Sequence, residues 1–122
     1  MAYQSFEKLE VWKRACRLAV NVCQMLAKSK QYVLKDQMQR AAISIPSNIA
    51  EGAERDSKQD FIRFLRIAKG SAAELRTQTY IALKLELLTK EESDGFVNES
   101  KEISAMLQGL IRSLSTKLKT EN

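Results

Sequence analysis

Few of the side chains that usually carry chemistry are present. The 122 residues include no histidine and only two cysteines, Cys16 and Cys23. Seven positions apart on one helix, the two Cα atoms stand roughly 10.5 Å from each other, too far for a disulfide. With no His and no further Cys, zinc has no ligand set. Glu51, Glu54 and Glu74 are the carboxylates best placed to be partly buried. A di-iron site of the helical kind needs Glu-x-x-His, which the chain lacks. No serine has an evident activating partner. The expectation is a protein that is not an enzyme and uses no metal and no cofactor.

Cations offer more. The net charge is +5 with a pI near 9.3. The excess is uneven: residues 7–30 hold six Lys/Arg against two acids, and residues 57–88 hold six against three. In a helix, Lys13, Arg14, Arg17 and Lys28 share one arc of the first segment. Arg63, Arg66 and Lys69 lie on the outer side of the third. These seven are the candidate nucleic-acid-binding residues. No zinc finger, RNP1 pattern or GXXG loop accompanies them, so binding is expected to use the phosphate backbone and to weaken with salt. Tyr3, Tyr32 and Tyr80 are the candidate stacking residues.

The elements that position these groups are helices. Glycine (4) and proline (1) are too scarce for a sandwich or barrel. Segment one runs from Ser5, a possible N-cap, to Lys28. It carries two apolar stripes at 3/4 spacing: Leu9, Trp12, Cys16, Ala19, Cys23 and Leu26, and beside it Val11, Ala15, Leu18, Val22 and Met25. Together they cover more of the helix than a two-layer bundle buries. The second stripe, through Val11, Leu18, Val22 and Met25, is therefore expected to meet another subunit. Segment two, Leu34 to Arg55, has Leu34, Met38, Ala41, Ile45 and Ile49 as its core stripe. It holds three residues that cost helix stability or need partners, Pro46, Asn48 and Gly52. Proline frees the Ala42 carbonyl and permits a kink. Arg40, Asn48, Glu51, Glu74 and Gln78 are expected to form a polar network that fixes register between segments two and three. Ser57 opens segment three, to about Leu88, and Thr89-Lys90-Glu91-Glu92 is a capping box opening segment four.

Short connections between four amphipathic helices predict an all-α, antiparallel up-down-up-down four-helix bundle, one domain over 1–122. No apolar run is long enough to span a membrane and no signal-peptide pattern opens the chain, so a cytoplasmic protein is expected.

Phe6–Ala19 (FEKLEVWKRACRLA), Gln37–Gly52 (QMQRAAISIPSNIAEG) and Asp60–Leu75 (DFIRFLRIAKGSAAEL) resemble the four helix bundle proteins, among them the S23-like proteins encoded in intervening sequences of bacterial 23S ribosomal RNA genes. The resemblance covers nearly the whole chain, and Ser44–Gly52 is its most specific part. It implies a ring-like homopentamer that binds or scaffolds RNA or DNA. The accessory variability determinant of diversity-generating retroelements is similar in structure. That likeness implies an alternative role, a protein-interaction module partnering a reverse transcriptase.

Overall fold

The computed structural model describes residues 5–121. Four helices follow one another: α1 (Glu10–Leu26), α2 (Tyr32–Ala53), α3 (Lys58–Lys84) and α4 (Lys90–Glu121). No strand occurs among the described residues. Ser5 caps a 3₁₀ turn, Phe6–Lys8, ahead of α1, rather than α1 itself. There Phe6 meets Trp12 edge-on, ring centroids 5.3 Å apart, so an aromatic pair fixes the entry to α1.

The helix ends follow local chemistry. Ser57 Oγ accepts from Asp60 N at 3.1 Å, which begins α3. Thr89 and Glu92 form the expected reciprocal box: Thr89 N donates to Glu92 Oε1 (2.8 Å) and Glu92 N to Thr89 Oγ1 (3.1 Å). Helix α3 ends with Glu86 at φ 62° and with Leu87 N donating to the Ala82 carbonyl at 2.9 Å. That is the left-handed C-terminal cap usually given to glycine.

One apolar cluster draws on all four helices, with Val22, Met38, Ile45, Leu65, Leu75, Ile103 and Leu107 sealed from solvent. Each such side chain contributes about 1.5–3 kcal/mol through burial. Helix α2 runs unbroken through Pro46, whose ring is buried. Where α2 meets α3, the backbones are close. A Cβ on Gly52 would stand 2.7 Å from Phe64 Cβ and 3.1 Å from Phe61 Cδ1. Eight residues back, Ser44 Oγ meets Ser71 Oγ at 2.9 Å. Helices α1 and α4 share the least contact of any adjoining pair.

Candidate nucleic-acid interface

A cation serves a phosphate only where a carboxylate has not already claimed it. Arg14 is claimed. Its Nε donates to Glu99 Oε2 at 3.0 Å and its Nη2 to Oε1 at 2.5 Å, with Glu102 4.0 Å away. The hydrogen bond to Glu99 holds the guanidinium above its ordinary pKa, against partial desolvation. Arg14, expected among the phosphate-binding residues, thus joins α1 to α4. Arg63 is also engaged: it lies 3.8 Å from Asp60, and its guanidinium sits 4.7 Å over the Phe64 ring. Lys13 and Arg17 are exposed on α1, Lys28 is exposed in the turn that follows it, and none of the three enters an ion pair among the described residues.

The densest set of unclaimed cations lies where α3 borders α4. Lys69 Nζ donates to Gln108 Oε1 at 2.8 Å, so the strip of α3 that carries Lys69 faces the strip of α4 that carries Gln108. Helical periodicity adds Arg66 and Arg76 to the first strip, and Lys101, Arg112 and Lys119 to the second. None of these five enters an ion pair among the described residues. The acid nearest this surface by periodicity is Asp94, which Lys90 holds at 2.6 Å. Arg66 and Lys69 were expected here. Arg76, Lys101, Arg112 and Lys119 were not, because each helix's own period is legible but the pairing of two particular faces is not.

Two other expectations are corrected. Val11, Leu18 and Val22 are covered by the chain's own core, at 5%, 2% and 0% exposure, so they are not free to line a subunit contact. Met25 alone of that set is exposed, at 44%. The buried arc of α1 also takes Ala19 and Leu26 from the neighbouring stripe, which leaves Val20 outside. The expected polar network also does not assemble. Arg40 pairs with Asp36 (2.9 Å) and Glu51 with Arg55 (3.0 Å), each one turn away on the surface of α2, and Glu74 is exposed. Asn48 is satisfied within α2, its Nδ2 donating to the Ser44 carbonyl and to Ser44 Oγ, both at 2.8 Å. The contact that does cross between the helices is Ser44–Ser71. Gln78 is 8% exposed, and its Oε1 has no hydrogen-bond partner among the described residues.

No group of His, Cys, Asp and Glu able to hold a metal ion occurs among the described residues, and none of their helices is long and apolar enough to cross a membrane. Fold and surface together define a small, basic, all-α four-helix protein. The profile of the 23S rRNA-intervening sequence proteins matches residues 7–109; the chain belongs to that family. It is also similar to a crystal structure of a protein of unknown function from the S23 ribosomal protein family of Bacteroides thetaiotaomicron, at 28% identity and a TM-score of 0.78. The match covers 83% of this chain and 97% of that one. No curated protein matches.

Proposed function

We propose that this chain is a non-enzymatic RNA-binding scaffold that grips the phosphate backbone along the α3–α4 strip. The observation that carries the reading is the set of cations at Arg66, Lys69, Arg76, Lys101 and Arg112, which no carboxylate among the described residues neutralises. Lys13 and Arg17 on α1, with Lys28 in the turn after it, form a second, sparser row. In this reading the bundle is antiparallel, up-down-up-down, and bends at Pro46. Contacts running from Ser44–Ser71 to Gly52–Phe61 support the direction of α2 against α3.

Assembly belongs to the same proposal. Apolar side chains stay exposed on unlike surfaces: Val20 on α1, Ile43 on α2, and Ile67, Ile81 and the C-cap Leu85 along one side of α3. Unlike patches that pair head to tail close into rings when the rotation allows, which fits a homopentamer. The buried, unsatisfied Gln78 lies on the α3 strip between Ile67 and Ile81, where a donor from a second copy would relieve it.

The test is binding of a labelled RNA across a salt series. Wild type should bind, with affinity falling steeply as salt rises. The double variant Arg66→Glu/Arg112→Glu should lose at least tenfold in affinity and show a shallower slope, by about 0.7–0.9 per lost phosphate contact. Unchanged affinity would overturn the reading. Light scattering tests the assembly, and a mass near 13.9 kDa at every concentration would defeat it. Co-purification of a reverse transcriptase without RNA would favour the protein-interaction alternative.

A further inference from the structure

We infer that the α3–α4 strip selects unpaired RNA, with one base stacked on Tyr80. The inference rests on the reading of that strip as the phosphate-binding surface. The outward edge of α3 runs Arg66, Gly70, Ala73, Thr77, Tyr80, Lys84, at alternating spacings of four and three, which keeps all six on one line of the helix. The line has a cation at each end, three small residues, and a single aromatic ring beside the second cation.

The small residues leave the helix surface bare. A Cβ on Gly70 would meet nothing within 4 Å. Ala73 is exposed, and Thr77 turns its hydroxyl back onto the Ala73 carbonyl at 3.0 Å. Against this shelf, Tyr80 is 49% exposed, and it has no hydrogen bond or ring contact among the described residues. Arg76 and Lys84 stand one turn before and after it. From Arg66 to Lys84 the line is roughly 27 Å long, enough for several nucleotides.

This arrangement has the two parts that single-strand binding uses, a charged track for the backbone and a ring for a base. The other two tyrosines do not offer it. Tyr32 opens α2, away from the strip, and Tyr3 lies outside the described residues. In a duplex every base is already stacked and paired, so Tyr80 gains nothing from duplex RNA. The cations serve both forms, whereas the ring serves only the unpaired one.

The test uses the full chain with an unstructured, fluorescein-labelled 15-nucleotide RNA and its blunt duplex. Wild type should bind the single strand more tightly. Tyr80→Ala should lose about tenfold on the single strand, within the range seen for base–aromatic stacking, and keep its duplex affinity. Tyr80→Phe should retain both. Tyr80→Trp should show indole quenching with the single strand beyond any change in wild type, and none with the duplex. Equal loss on both RNAs, or no loss on either, overturns the role of Tyr80 and leaves the α3–α4 reading standing. Failure of wild type to bind either RNA overturns that reading, and this inference with it.

Discussion

The α2–α3 seam and the α1–α4 seam hold the same bundle together by opposite means. Between α2 and α3, small residues let the backbones come close. Gly52 has no room for a Cβ, and two serine hydroxyls touch where larger residues would force the helices apart. Between α1 and α4 the side chains are long. Arg14 reaches across to Glu99, and beside this bridge an open cleft of about 540 Å³ is lined by Leu18, Met25, Phe96 and Gly95. Close backbones fix register through packing, which has no slack. A bridging ion pair joins helices at a distance and tolerates adjustment.

A glycine lies at each seam, and these two residues probe the contrast most directly. Gly52→Ala should destabilise the protein by about 1–3 kcal/mol through overpacking against Phe64, despite alanine's helix advantage of about 1 kcal/mol. Urea unfolding measures this, and wild-type stability in the variant would show that α2 and α3 can part. Arg14→Ala should cost about 1–2 kcal/mol, since the pair is only partly shielded from water. The loss should shrink at high salt. Because the guanidinium pKa is raised in the fold, the charge on Arg14 stays in place as pH rises, and its contribution is lost on that side only in strong alkali. Gly95→Ala should instead gain up to about 1 kcal/mol, because nothing lies within 4 Å of the new methyl group. A loss there would mean that the cleft closes in solution. The smallest effect concerns Cys16, on the side of α1 away from Arg14. Burial pushes its thiol pKa up, so iodoacetamide should alkylate it more slowly than a free thiol at pH 8. Alkylation at the free-thiol rate would show that α1 lifts from the bundle.

The sequence made the fold legible wherever the cause was local. Thr89 and Glu92 cap one another within four residues, and Ser57 caps α3. It misled where two answers had the same period. The two apolar stripes of α1 are equally regular, and the core took an arc spanning both. Asn48 was read as reaching for α3, but Ser44, one turn back in its own helix, was nearer. On the candidate surface, Arg66 and Lys69 were visible as exposed cations. The removal of Arg14 by Glu99, 85 residues away, and the meeting of Lys69 with Gln108 are long-range pairings that no window of sequence contains.

The Arg14–Glu99 bridge also bears on the order in which the chain gathers. It joins the first helix to the last across 85 residues, whereas Ser44 and Ser71 are 27 apart. Closing the longer loop has the greater entropic cost, so the α2–α3 hairpin forms early and α1 docks on α4 late. A late contact is absent from the folding transition state. Arg14→Ala should therefore leave the refolding rate almost unchanged and speed unfolding, while Gly52→Ala slows refolding. Stopped-flow chevrons for the two variants would separate these limbs, and a slowed refolding limb for Arg14→Ala would put the α1–α4 contact in the nucleus instead.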